Sequence, residues 1–300
     1  MHKSSIYLPD DLKEALAERA AAAGRSEADL IRQAITRLLA ASGDTGGAHA
    51  DPTPARPVPV DLPRPTLIGV GVGPGDPNLV SAQAVAVLDA ADRVLVISTD
   101  PRSIGRAEAV VRAVAPLAEI RRHPFDLSAT GRTSSMRQLV DAVLAGVGVG
   151  EAVAVAVLGD PSQWTVFPEL AAAVRERHPS LPITAVPGIT AWQAAAAADV
   201  LGLGAGAGTL VVTADPARAR QAMLDGDAVV LHKATTDGGT IRSLVAEAGC
   251  EHAVVAELTG LPGARSFPAT ETPDGPLAYL SALIVPAATT SDPRAVAASR

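Results

Sequence analysis

From Thr66 onward the sequence predicts an α/β fold, and ahead of it a small strand-helix-helix module. The prediction follows from three features of the chain. Apolar runs of strand length alternate with segments of helical periodicity, Gly- and Pro-rich turns stand at the ends of the apolar runs, and a stretch with neither pattern separates the two parts. That stretch, residues 43–65 (GDTGGAHADPTPARPVPVDLPRP), holds six prolines and a Gly pair and reads as a linker. The expected organisation is a module over 1–42, the linker over 43–65, an α/β unit over 66–286 whose halves meet at 187/188, and a polar tail over 287–300 read as disordered.

In the first module, residues 3–8 alternate, with Ser4, Ile6 and Leu8 on one face and Lys3, Ser5 and Tyr7 on the other. Pro9-Asp10 opens a helix whose stripe is Leu12, Ala15, Leu16, Ala20 and Ala23, and Gly24 stops it. Ser26 and Asp29 make a capping pattern for a second helix carrying Leu30, Ile31, Ala34, Ile35, Leu38 and Leu39. About forty residues cannot bury these stripes alone, and a single strand lacks a partner. Two chains that pair strands and interlock helices remove both problems. The pattern over residues 3–41 resembles the ribbon-helix-helix family of dimeric DNA-binding proteins. That resemblance implies paired strands in a major groove, with Lys3, Ser5 and Tyr7 facing base edges. It also brings the second helix's N-terminus, near Ser26, to a phosphate. Six basic residues (Lys3, Lys13, Arg19, Arg25, Arg32, Arg37) are balanced by six acidic ones (Asp10, Asp11, Glu14, Glu18, Glu27, Asp29), which makes a weak phosphate binder. Dimerisation alone and dimerisation with DNA binding both stand as readings.

In the larger part, Thr66–Val72 is a buried-strand run ending in Gly73-Pro74-Gly75-Asp76-Pro77. A helix is expected over 79–90, a strand over 93–98, and helices over 105–115 and 134–146. Ala152–Leu158 is a second apolar run, broken by Gly159-Asp160-Pro161. After it come a helix over 168–177, a strand over 182–186, and Pro187-Gly188-Ile189-Thr190 leading into an Ala-rich helix. Strands are expected over 209–213, 228–232, 253–257 and 280–285, with parallel pairing dominant in the first half.

Composition removes several classes. Aromatic residues make up 2% of the chain against 48% hydrophobic, so the core must be built from Ala, Val, Leu and Ile, which suits β-α layers. A net charge of −7 argues against a protein coated with nucleic acid. One cysteine, Cys250, excludes an intrachain disulfide and a CxxC knuckle, and the six histidines have no HxxxH or HExxH spacing, so no metal site is expected. No apolar run reaches the roughly 20 residues of a membrane span, and MHKSSIYLPDD has no signal-type apolar core; a cytoplasmic protein is the expectation.

In open α/β sheets ligands bind beyond the carboxyl ends of strands, where glycine allows close backbone approach. GVGPGDP and LGDP occupy such ends, yet neither is a G-x-G-x-x-G, and no G-x-x-x-x-G-K-[ST] exists, so dinucleotide and P-loop chemistry are disfavoured. Taken one at a time, each is a tight turn. In order, GVGPGDP, LGDPSQW and VPGITAWQAAAA resemble the tetrapyrrole methylase family over residues 66–286, and within it the precorrin-2 C(20)-methyltransferases of corrin (cobalamin) biosynthesis. VVLHKATTDGGTIRSLVAEAG, VVAELTGLPGARSF and YLSALIVP add to that likeness. Trp164-Thr165-Val166 and Ala191-Trp192 depart from the subfamily's aromatic-Ser-Thr and Ser-Phe.

The resemblance implies a two-domain tetrapyrrole methylase fold, a homodimer, and S-adenosylmethionine in the cleft between the domains. Pro74, Leu158, Gly159 and Asp160 would surround the methionine moiety, Gln163, Thr190 and Ala191 the other side, His232 the adenine, and Thr259 and Gly260 the nucleoside. For His232 an ordinary strand-end histidine is the competing reading. The acidic residue that uroporphyrinogen methylases carry after the second strand has its counterpart near Ile97, so no catalytic base is named. Between residues 102 and 137 seven arginines stand against Glu108, Glu119 and Asp126; Arg102, Arg121, Arg122 and Arg132 are the candidates for clamping a polycarboxylate macrocycle. Two rival functions stay open: a DNA-binding regulator whose methylase-like domain senses S-adenosylmethionine or a corrin precursor, and methylation of a peptide or RNA by the same fold.

The first module can be tested apart. A fragment of residues 1–44 should sediment as a dimer, and Ile6→Asp should unfold it by burying an unpaired charge; a monomeric, unfolded wild-type fragment would remove both readings of the module.

Overall fold

The computed structural model describes residues 9–22, 26–28, 31, 60–100, 102–204, 208–234 and 237–287. The chain divides into two compact units, residues 1–55 and 56–300. In the first unit, helix α1 (Asp10–Ala22) starts where Pro9-Asp10 predicts; Ala20 is buried and Leu12 is exposed. The expected strand with Lys3, Ser5 and Tyr7, and most of the second helix, lie outside the described residues, as do most of the linker and nearly all of the tail.

The second unit is built on two five-stranded sheets. Strands β1 (Thr66–Gly71), β2 (Arg93–Ser98), β3 (Ile120–Pro124), β4 (Ala152–Val157) and β5 (Ile183–Val186) form a parallel sheet in the order β3-β2-β4-β1-β5. The alternation of β4 (AVAVAV) sorts its two faces by size. Ala152, Ala154 and Ala156 face a layer with α2 (Ala82–Ala90) and α3 (Arg106–Val114), while Val153, Val155 and Val157 face α4 (Arg132–Gly148) and α5 (Phe167–Arg177). Leu67, Leu88, Leu139 and Leu170 are fully buried in these layers, and each contributes about 1.5–3 kcal/mol by leaving water. The core is aliphatic, as the scarcity of aromatics requires.

The second sheet is mixed. Its strands are β6 (Leu210–Thr213), β7 (Ala228–His232), β8 (Val254–Glu257), β9 (Arg265–Pro268) and β10 (Ser281–Val285), in the order β6-β7-β10-β8-β9. Only β6 and β7 run parallel; β10 is antiparallel to both β7 and β8. Helices α7 (Pro216–Leu224) and α8 (Gly238–Ala248) cover one face. Trp192 and Ala195 of α6 (Ala191–Ala198) pack on the other, against Val230, Ala256 and Ile284.

Two features differ from the sequence reading. The helix expected over 79–90 is split into a 3-10 turn at Pro77–Leu79 and α2, because the Ser81 hydroxyl accepts the Ala84 N–H at 3.1 Å and restarts the helix there. Strands β3 and β9 were not expected; both are short sheet edges whose sequences, IRRHP and RSFP, lack an apolar face.

The carboxyl ends of β1, β4 and β5 meet backbone to backbone. A Cβ added at Gly188 would lie 2.0 Å from the Gly159 carbonyl oxygen and 2.8 Å from the Gly71 Cα; one added at Gly71 would lie 2.6 Å from both the Gly159 oxygen and the Gly188 nitrogen. Each of the three sequence motifs gives one glycine to this junction; Gly71 and Gly188 cannot carry a side chain without moving backbone, and Gly159 holds a left-handed backbone at φ 69. Gly188→Ala should therefore cost at least the ~1–3 kcal/mol of an overpacked core, read as a lowered urea midpoint at unchanged slope. A variant as stable as the wild type would show that the three strands do not meet this closely.

Candidate functional site

A cavity of about 230 Å³ opens beside this junction, between the two sheets. From the parallel sheet come Pro74, then Leu158, Gly159, Asp160, Gln163 and Trp164, then Thr190 and Ala191. From the mixed sheet come His232 and Lys233 at the end of β7, Ala256 of β8, Thr259, and residues 279–282 leading into β10. Nine of the ten residues expected to hold a methyl donor line this one space. The tenth, Gly260, lies behind Pro74: a Cβ on it would come within 3.0 Å of the Pro74 ring and 3.1 Å of the Asp76 nitrogen. Gly75 has the same intolerance toward Leu261, where a Cβ would stand 2.4 Å from the side chain. The GPGDP loop and the turn after β8 therefore touch through glycine on both sides, which brings the two sheets to the cavity.

The loops are tied by polar contacts whose donors come from neighbouring motifs. Asp160 accepts the Gly188 N–H at 3.0 Å and the Ser162 N–H at 2.8 Å, and also the Ser162 hydroxyl. Burial works to raise its pKa, but the hydrogen bonds from Ser162 and Gly188 outweigh burial and hold the carboxyl below its usual range. Asp160 is thus a charged loop clamp. Thr190 caps α6 through a reciprocal pair: its hydroxyl accepts the Gln193 N–H and the Gln193 side-chain oxygen accepts the Thr190 N–H. Gln163 accepts the Trp192 indole N–H at 3.4 Å. On the opposite wall Glu257, 1% exposed, accepts the Ala278 N–H at 2.6 Å and Arg265 Nε–H at 2.5 Å, and the Leu258 N–H binds the Leu280 oxygen.

Two buried polar atoms at the cavity residues have no protein partner, His232 Nε2 and Ser281 Oγ. Buried polar groups are normally satisfied, so a ligand with polar atoms would complete this wall. Burial, aided by the charge of Lys233, pushes the His232 pKa down to about 4, and its ring lies 4.4 Å from that of Trp164. His232 thus stands in the cavity wall with its imidazole held toward the neutral form. Trp164, Lys233 and Leu258, beside Thr259, all hold a left-handed backbone (φ 50, 54 and 53). That conformation costs a non-glycine residue on the order of 1–3 kcal/mol and gathers at functional sites.

None of the four candidate arginines lines this cavity. Arg102 is exposed on the loop after β2. Arg121 pairs with Glu119, and Arg122 with Glu108, a carboxylate 1% exposed that also holds Arg112. The Arg122 hydrogen bond keeps Glu108 below the usual carboxylate range. Arg122 is thus held against α3 by Glu108, and the Arg121-Arg122 pair expected as a clamp is engaged by protein carboxylates. Arg132 pairs with Glu169 and lies 5.8 Å above the Phe125 ring. Phe125 in turn lines a second space beyond β2 and β3 with Ser98, Asp126, Ser128 and Gln138. The sequence reading missed Trp164, Lys233, Tyr279 and Ser281 at the first cavity. A usable signal was the rarity of aromatics: Trp164, Trp192 and Tyr279 are three of the four Trp and Tyr residues in the chain.

Residues 66–272 match the family model of Tetrapyrrole (Corrin/Porphyrin) Methylases, more than half of the chain. The chain belongs to the tetrapyrrole methylase family. Residues 5–42 match the model of the ribbon-helix-helix protein, copG family. Among relatives of the methylase unit, Precorrin-2 C(20)-methyltransferase of Sinorhizobium sp is 30% identical over 236 residues, covering 73% of this chain and 94% of that protein. Cobalamin biosynthesis protein CobIJ of Mycobacterium bovis is 26% identical over 238 residues, 74% of this chain; the match spans about half, 46%, of that longer relative. The fold is that of the cobalt precorrin-4 methyltransferase CbiF (TM-score 0.58, 21% identity, 73% of this chain and 94% of that one) and of the methyltransferase CobJ (TM-score 0.55, 20% identity, 74% and 94%). Among the described residues no helix is long and apolar enough to cross a membrane and no group of His, Cys, Asp and Glu could hold a metal ion.

The His232 environment gives this methylase unit a definite acid response. A folded-state pKa below the ordinary 6.5 means that protons favour the unfolded chain, so the stability from neutral His232 is full above about pH 6.5 and is lost as the pH falls toward about 4. His232→Met should lose less stability than the wild type between pH 7 and pH 4.5 in parallel urea melts. An identical loss in both proteins would place His232 in contact with water.

Proposed function

We propose that the methylase unit transfers a methyl group from S-adenosylmethionine to a carbon of a reduced tetrapyrrole, precorrin-2 at carbon 20, in corrin biosynthesis. The observation that carries this reading is the cavity itself: three strand-end loops and the ends of β7 and β10 enclose one space with two unsatisfied polar atoms, His232 Nε2 and Ser281 Oγ. Backbone groups of Leu158 and Gly159, the hydroxyl of Ser281 and the faces of His232 and Trp164 suit a nucleoside bearing an amino acid. When bound, S-adenosylmethionine supplies a methyl group already activated by its sulfonium. The chain's own work is then to align and to exclude water, and alignment alone is worth several kcal/mol. Asp160 serves by locking the LGDP and PGIT loops together, not as a base, because both its oxygens are committed to hydrogen bonds. The names of the relatives support the tetrapyrrole acceptor. Arg132, over the Phe125 ring that lines the second space, and the exposed Arg102 remain its candidate carboxylate contacts.

A second reading rests on the match over residues 5–42: a dimeric DNA-binding module that couples operator binding to occupancy of the methylase cavity. The two readings separate on turnover. The purified chain, incubated with precorrin-2 and methyl-labelled S-adenosylmethionine, should yield a product heavier by one labelled methyl group. Asp160→Arg should weaken binding of S-adenosylmethionine by more than about tenfold by calorimetry, since it removes the acceptor for the Gly188 N–H and sets a cation in the loop. Unchanged affinity in a folded variant would defeat the cofactor assignment; binding without turnover would favour the sensor.

A further inference from the structure

Lys233 lines the cavity and has no part in the methyl-donor assignment above. It follows His232 directly at the end of β7, where the strand could have continued or turned through glycine, and instead holds a left-handed backbone at φ 54. Such a backbone is strained for lysine, and it turns the side chain out of the sheet line and into the wall of the cavity, which Lys233 lines. Its Nζ lies 6.0 Å from the centre of the Tyr279 ring, also in that wall and 60% exposed. A cation on an aromatic face is held in direction without being neutralised.

The charge is left available. Among the described residues no carboxylate forms an ion pair with Lys233, whereas Arg121, Arg122 and Arg132 all have one. The nearby buried carboxylate, Glu257, is taken by Arg265 and the Ala278 N–H. The field of Lys233 nevertheless reaches inside, where it helps to keep His232 neutral.

We propose that Lys233, steered by the face of Tyr279, is a carboxylate anchor at the mouth of the methylase cavity. The proposal rests on the methyltransferase reading, in which two carboxylates can reach this point: that of the amino acid part of the methyl donor, and a side-chain carboxylate of the acceptor. The chemistry is the same for either, an ammonium donating hydrogen bonds to a carboxylate.

The test uses the full chain and the variants Lys233→Met, which keeps the stem over Tyr279, and Lys233→Arg, which restores the charge. Calorimetry is run with S-adenosylhomocysteine, with 5′-methylthioadenosine, which lacks the amino acid carboxylate, and with uroporphyrin as a stable polycarboxylate macrocycle. Lys233→Met should weaken one carboxylate ligand about tenfold, Lys233→Arg should recover most of the loss, and methylthioadenosine binding should not change. A loss confined to S-adenosylhomocysteine identifies the donor's carboxylate, and a loss confined to uroporphyrin the acceptor's. Equal affinities of wild type and Lys233→Met for both carboxylate ligands would overturn the anchor while leaving the methyltransferase reading intact. A wild-type chain that binds neither ligand would overturn both.

Discussion

The crossing of three backbones at Gly71, Gly159 and Gly188 is the constraint on which the site depends. Parallel strands lie side by side at a fixed spacing, and a loop leaving one strand normally stands clear of its neighbours. Here the loops after β4 and β5 fold over the end of β1 so closely that no Cβ fits at Gly71 or Gly188. The consequence is a rigid floor made of peptide groups, with Leu158, Gly159 and Thr190 delivered to one place. Asp160 fastens the same crossing with its hydrogen bond to Gly188. A floor of backbone can approach a ligand more closely than a floor of side chains.

The opposite wall is made differently. The mixed sheet reaches the cavity through strand ends, and those ends are aimed by buried polar ties and by strained backbone. Glu257 holds Ala278 and, through it, the approach of Tyr279 to β10. Lys233 and Leu258 take left-handed conformations that glycine would adopt without strain, as Trp164 does across the cavity. The parallel sheet thus brings backbone in through Gly71 and Gly188, while Lys233 and Leu258 of the facing wall keep side chains where glycine would be easier. The contrast suits a site with a fixed floor and a chemically specific rim.

Much of this was legible in the sequence, for physical reasons that vary by element. The strands β1, β4 and β7 are buried on both faces, so their apolar runs announce themselves, and the ends of β1, β4 and β5 carry glycines required by close backbone approach (Gly71, Gly188) or by a left-handed backbone (Gly73, Gly159). Seven residues named from those loops, with His232 and Thr259 from farther along the chain, share one cavity. The edge strands β3 and β9 were not legible, because an edge strand with charged side chains has no local pattern that distinguishes it from a loop. The ion pairs of the arginines were not legible for a related reason. Arg122 is spoken for by Glu108, fourteen positions earlier, and Arg132 by Glu169, thirty-seven positions later; no local count of charges contains those pairings. Lys233 was invisible as a cavity residue because what distinguishes it is a backbone angle.

The scarcity of aromatic residues has an optical consequence. The chain has two tryptophans, and both adjoin the cavity: Trp164 lies in its wall with the ring against His232, and Trp192 donates its indole N–H to Gln163 next door. The N-terminal module contributes Tyr7 and no tryptophan. Light absorbed near the red edge of the protein spectrum is therefore emitted almost wholly from the neighbourhood of one pocket. The molecule carries its own spectroscopic probe there, with one indole half open to solvent and the other nearly enclosed.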